Sequence, residues 1–211
     1  MMLDFKKEIR LAFTENKGAI GIAVAILIFS LILGYYLEPY LHAYLNPVVE
    51  NLSKQVESGS IKLTFHSIFS NNIRIVFLMF VFGLLFCFSA LILSFNGFFV
   101  GYFVAVNNNE LFKTLLMLIP HGIFEFSSCI IACASGFVLF KFLYRFLKAF
   151  AKKEEGSISN QLYESYVENF DKLKQAIILL MVATVLMIIA GIFEVYLTIP
   201  IANFIISISV L

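Results

Sequence analysis

Four long apolar runs dominate the chain, at residues 18–37, 75–95, 119–140 and 176–200, with polar residues gathered between them. Each reaches the roughly 20 residues that an α-helix needs to cross the hydrocarbon of a bilayer. Each therefore predicts a transmembrane helix. The first two runs carry no charge, the third contains His121 and Glu125, and the fourth contains Glu194. Between the second and third, residues 97–118 are apolar at both ends and polar in the middle. That pattern predicts an interrupted membrane segment: a short helix at 97–106, a turn at 107–109, then a short amphipathic helix. Broken helices are tolerated at membrane depth only where protein or a polar cavity shields them.

The flanking segments predict peripheral elements. Residues 1–17 place Phe5, Ile9 and Phe13 on one helical face, with Lys6, Lys7 and Arg10 largely away from it, as in an interfacial helix. Residues 38–72 predict a loop carrying a short helix, with Asn46 as N-cap and Pro47 at its first position. Val48, Val49, Leu52 and Val56 would form its apolar stripe, and Tyr35, Tyr36, Tyr40 and Tyr44 an aromatic belt at that level. Residues 141–175 predict a water-exposed connector with a docking role open to it.

Composition sharpens the class. The 211 residues are 61% hydrophobic and 14% charged, against about 25% charged in ordinary soluble domains. The predicted fold is an all-α polytopic transmembrane bundle with about five crossings. The net charge of +1 gives no sign of a nucleic-acid partner, because the cations sit beside apolar runs. Cys87, Cys129 and Cys133 all lie inside those runs and suggest neither a disulfide framework nor a zinc knuckle.

Cations also set the expected orientation. Eleven lysines and arginines flank residues 18–37 on their N-terminal side or occupy 141–175, against three (Lys54, Lys62 and Arg74) around 38–72. The N-terminus and 141–175 are thus expected in the cytoplasm of a multi-pass cell-membrane protein, with 38–72 outside. The interrupted segment must then return the chain to the outer face, which makes it the fifth crossing.

On that topology Glu125 and Glu194 stand at one depth, each about 9 Å inside the outer boundary at 1.5 Å per residue. Asn71, Asn72 and Arg74 open the second run at the same level, and His121 lies one helical turn from Glu125. An ionisable group in hydrocarbon marks a functional site by default. Three readings are open: polar glue between helices, a buried ligand or ion pathway, and a catalytic or metal role. Small residues recur at helix-contact spacing: Gly83, Cys87, Ala90 and Ser94; then Gly97, Gly101 and Ala105; then Ser128, Ala132 and Gly136; and finally Ala183, Ala190 and Gly191.

Enzyme signatures fail individually, which favours a non-catalytic protein without a cofactor. The stretch from His121 to Glu125 is not the paired-histidine motif of zinc proteases. His121, Glu125 and Glu194 have the chemistry to give zinc three ligands and an open position, so a metal role is left open. Ser135 lacks a histidine in the last run to activate it.

Four short motifs occur in order: Asn71-Asn72 with Arg74; Asn96-Gly97 with Gly101; Pro120-His121-Gly122 with Glu125; and Ala190-Gly191 with Glu194. Together they resemble the stage II sporulation protein M family of integral membrane proteins. The resemblance implies a polytopic fold with these motif residues at its working positions. In sporulating bacteria it implies a scaffold for proteins that remodel peptidoglycan; the family also extends to organisms that form no spores. The expected partners are the lipid bilayer, membrane or extracytoplasmic proteins, and a second copy of the chain as a homo-oligomer. Transport of a small cation, proton or polar solute is the alternative, and an intramembrane hydrolase or metalloenzyme the third.

Overall fold

The computed structural model describes residues 2–57, 65–85, 87–153 and 157–209. Every regular element among them is helical: α1 (Met2–Glu15), α2 (Lys17–Glu57), α3 (Phe65–Phe82), α4 (Cys87–Val106), α5 (Leu111–Phe150), α6 (Ile158–Ile192) and α7 (Thr198–Ser209). Four helices are long and apolar enough to cross a membrane; a fifth apolar stretch, Phe69–Leu85, is shorter. The all-α polytopic expectation holds.

Side-chain contacts fix the direction of each helix. Ser128 of α5 donates to the Ala183 carbonyl of α6 at 2.7 Å, and Ser135 to that of Ala176 at 3.0 Å. Advancing along α5 thus means retreating along α6, so the two are antiparallel. Gly97 of α4 lies against Leu27 and Ser30 of α2, and Gly101 against Leu31 and Tyr35. These two helices are parallel, so the chain must return between them, and α3 makes that return. Ser89 at the start of α4 bonds the Met79 carbonyl of α3, closing an antiparallel α3–α4 hairpin.

That hairpin corrects the expected segmentation. The run at 75–95 is not one helix: α3 tightens into a 3₁₀ turn at Gly83–Leu85 and α4 starts at Cys87. A Cβ on Gly83 would overlap the backbone of Gly136, and one on Gly136 would meet Ser89, Met79 and Gly83. The chain therefore reverses where three backbones converge, and every residue of the turn is apolar. Hydropathy cannot detect such a turn. For the same reason Gly83 and Cys87 do not share a helix face; Gly83 is buried and Cys87 exposed. The expected break near Asn107 does occur, followed by a 3₁₀ turn at Asn108–Glu110. Beyond it, however, 111–118 and 119–140 belong to one continuous helix that runs through Pro120.

Both predicted loops are largely helical. α2 has 41 residues and passes through Pro39 and Pro47 without restarting, so Asn46 is not an N-cap. Each proline costs one backbone bond, which a helix this long absorbs. The stripe at Val48, Val49, Leu52 and Val56, together with Lys54, Lys62 and His66, lies outside the described side chains. The connector at 141–175 is a helical hairpin: α5 continues to Phe150, and α6 starts at Ile158 with the Ser157 side chain as N-cap. At 1.5 Å per residue, α2 and α5 each span about 60 Å, twice the hydrocarbon thickness of about 30 Å.

α1 docks on α6 rather than lying alone on an interface. Lys172 reaches Glu15 at 2.6 Å and the Gln175 side-chain oxygen at 2.7 Å; Asn16 donates to that same oxygen at 2.9 Å. Lys174 pairs with Glu8 at 2.8 Å. The Lys172 and Gln175 hydrogen bonds hold the Glu15 carboxyl below its ordinary range. Ile9 and Phe13 pack on the core beneath this network, while Phe5 is exposed.

Two outcomes follow. Gly136→Ala should destabilise the bundle by about 1–3 kcal/mol, whereas Gly21→Ala, with nothing within 4 Å of its Cβ, should be neutral or slightly stabilising; thermal unfolding in detergent compares them. Because folding lowers the Glu15 pKa, its contribution is complete above the unfolded value near 4.5 and is lost as pH falls through the folded value. Hydrogen exchange in α1 should rise in acid in the wild type, and Glu15→Gln should remove that carboxylate-dependent step.

Candidate functional site

The helix that carries Glu194 is not a plain α-helix. α6 ends at Ile192 and the next five residues, Phe193–Leu197, form a π-turn before α7. A proline follows it three residues on. Pro200 has no N–H to give the carbonyl one turn back, and its ring clashes there. A widened turn relieves the clash, and such bulges recur at functional sites. Thr198 stabilises the bulge by donating its hydroxyl to the Phe193 carbonyl at 3.0 Å.

That hydroxyl also meets α5. His121 Nδ1 lies 3.2 Å from Thr198 Oγ1. The threonine proton already points at Phe193, so Nδ1 must carry the hydrogen and donate to Oγ1. Nε2 then has no partner among the described residues. One residue before Glu125 and Glu194, the Phe124 and Phe193 rings pack at a 44° tilt with centroids 4.8 Å apart and pin α5 to the π-turn. Glu125 and Glu194 each follow one ring of that contact. Both are half-buried, and neither makes a hydrogen bond or ion pair with a described side chain. Cys129, one turn beyond Glu125, is buried beside it.

Thus His121, Glu125 and Glu194 come to one level, joined by Thr198 and Cys129, which sequence reasoning missed. The Thr198–Pro200 pair within an apolar run was the available signal for the bulge. Asn71, Asn72 and Arg74 sit on α3 without a hydrogen bond or ion pair to the acids. Asn71 instead reaches Asn72 at 3.5 Å, and Arg74 is exposed. Asn96 caps the Ile92 carbonyl of its own helix at 2.9 Å. Gly97 and Gly101 seat α4 on α2, Gly122 lies beside the Phe126 ring, and Ala190 and Gly191 are buried where α6 approaches the π-turn. Pro120 removes one bond from α5 just before His121.

Beside the imidazole opens a cleft of about 380 Å³, walled by Asn107, Glu110, Lys113, Thr114 and Met117 as well as His121. Lys113 and Glu110 pair across its rim at 3.0 Å. The zinc reading does not survive: among the described residues no three His, Cys, Asp or Glu side chains are arranged to hold a metal ion. Ser135 is committed to the Ala176 carbonyl and is no nucleophile in waiting.

Comparison with known proteins bears on this arrangement. The family profile described as stage II sporulation protein M matches residues 20–199, from the start of α2 through the π-turn. The chain belongs to the stage II sporulation protein M family. The matched span contains all four motif groups and leaves out α1 and most of α7. Two relatives come from Methanocaldococcus jannaschii. The uncharacterized protein MJ0793 is 32% identical over 152 residues, covering 70% of this chain and 78% of its own length. The uncharacterized protein MJ0706 is 30% identical over 211 residues, covering 95% and 91%. No solved structure matches. Membership and the apolar helices together make this a multi-pass membrane protein of the stage II sporulation protein M family.

Thr198→Val should cost about 1 kcal/mol, since it removes the second donor to the Phe193 carbonyl, which keeps the backbone N–H of residue 198, and strips His121 of its acceptor. Thr198→Ser should retain most of that stability in the same thermal measurement.

Proposed function

We propose that this stage II sporulation protein M family member is a non-catalytic scaffold, or a subunit of a membrane complex, that recruits partner proteins through its helix ends. The observation that carries this is the α5–α6 hairpin beyond the apolar run. There Ile158, Leu162, Tyr163, Val167 and Phe170 are all exposed, Tyr163 at 70%. An apolar patch on a part built to meet water calls for a partner. The inner face of the hairpin is tied by Lys153 to Glu164 and Glu168 at 2.9 and 3.1 Å, so the patch rests on a fixed platform. In this reading the hairpin and α1 face the cytoplasm, where eleven of the fifteen cations gather, and the α2 extension faces outward.

The decisive test is purification from native membranes in gentle detergent with quantification of stoichiometric partners. Tyr163→Asp with Val167→Asp should release the partners while leaving the unfolding free energy within about 0.5 kcal/mol of wild type, as exposed positions do. A wild-type protein that emerges alone overturns the proposal. Reporter fusions at the N-terminus test the orientation.

A second reading keeps one specific support: two neighbouring half-buried carboxyls with no described cation to neutralise them, beside the His121 cleft. That pair has the chemistry to hold a proton or a small cation in a transport component. Glu125→Gln separates the readings. An amide still packs and hydrogen-bonds, so complex assembly should persist in the scaffold; in a transporter the substitution should abolish flux in reconstituted vesicles without unfolding the bundle.

A further inference from the structure

Lys141, Arg145 and Lys148 follow one another at helical spacing and so share a stripe on α5, and Lys152 continues the spacing in the turn just beyond it. Arg145, Lys148 and Lys152, with Lys153, line a cleft of about 410 Å³ whose far wall is Glu168 and Asn169 of α6. Lys153 is already neutralised by Glu164 and Glu168. Arg145, Lys148 and Lys152 have no carboxylate partner among the described residues. At 1.5 Å per residue, Arg145 stands about 7 Å beyond residue 140, the depth of lipid headgroups rather than of hydrocarbon or bulk water.

A second, separate groove adjoins this cleft. It holds about 320 Å³ between α2 and α5, is walled by Ala19, Ile22, Phe137 and Phe140, and ends at Lys141 and Tyr144. Lys148 stands 6.0 Å from the centre of the Tyr144 ring, so the end of the apolar groove touches the start of the basic cleft. An apolar slot leading to unpaired cations, of which Arg145 stands first and at headgroup depth, has the form of one amphiphile. Its acyl chain would occupy the slot and its phosphate the Arg145–Lys148–Lys152 cleft, with the Arg145 guanidinium suited to bidentate contact.

We propose that this end of α5 is a binding site for an anionic membrane phospholipid. The alternative source of the same chemistry is a free phosphate compound, which needs the cleft but not the slot. The proposal is independent of the scaffold reading, since it concerns neither the Tyr163 patch nor the Glu125 cluster.

The test uses the full chain in detergent, titrated with phosphatidylglycerol, with phosphatidylcholine of the same acyl chains, and with inorganic phosphate, followed by native mass spectrometry and thermal midpoint. Phosphatidylglycerol should bind and raise the midpoint, and phosphatidylcholine should not. Arg145→Gln with Lys148→Gln should weaken phosphatidylglycerol binding roughly 10–30-fold, and Lys152→Gln should weaken it less. Lys6→Gln with Lys7→Gln, two exposed cations of α1, should leave it unchanged. A wild-type midpoint for the double variant in phosphatidylcholine shows that its fold is intact. Undiminished phosphatidylglycerol binding by that variant, or equal losses in the α1 control, overturns the proposal in favour of general charge attraction. Full competition by inorganic phosphate overturns it in favour of a free phosphate compound.

Discussion

The close meeting of α5 with its neighbours holds the architecture together. In a bilayer, lipid tails are as apolar as leucine, so helices gain nothing by hiding apolar surface from one another. Association must come from tight packing and cross-helix hydrogen bonds. α5 supplies both on one face: Ala132 and Gly136 are buried, Gly136 lies backbone to backbone with Gly83, and Ser128 and Ser135 bond α6 carbonyls. The opposite arrangement holds outside, where Phe29 of α2, Phe95 of α4 and Val185 of α6 are exposed to serve as lipid contacts.

The polar cluster depends on that seam and on the π-turn at Phe193–Leu197. Because α6 is locked antiparallel to α5, the region after Ile192 is bound to arrive opposite His121. The π-turn at Phe193–Leu197 then gives Glu194 its position, and the Phe193 carbonyl accepts from both the backbone N–H and the hydroxyl of Thr198. The proposed ion chemistry and the proposed rigid scaffold draw on the same geometry. They differ only in whether the carboxyl pair ever exchanges its proton or cation.

The two ends of the bundle have different physical characters. At the α1 end, charge is organised: Glu15 and Glu8 hold α1 on α6, Lys153 braces the hairpin, and Arg145, Lys148 and Lys152 stay unpaired beside an apolar groove. At the opposite end the exposed tyrosines of α2 and the His42–Glu38 pair at 2.6 Å mark a wet boundary with few cations. This asymmetry is what the orientation and lipid proposals have in common.

Much of the fold was legible because hydropathy reports the solvent around a helix. The all-α membrane class, the turn near Asn107, the α1 helix and the level shared by His121, Glu125 and Glu194 all followed from where apolar runs begin and end and from helical spacing. Helix limits were not legible, because a helix does not stop at the membrane surface: α2 and α5 run on past it, α2 even through Pro47. The turn at Gly83 was hidden because it is made of the same apolar residues as the helices it joins. The π-turn, the Thr198 link, the absence of Arg74 from the acids and the pairing of a basic cleft with an apolar slot were decided by tertiary structure alone. Each depends on which backbone stands opposite which. Spacing along one helix fixes a face, but only packing fixes what that face meets.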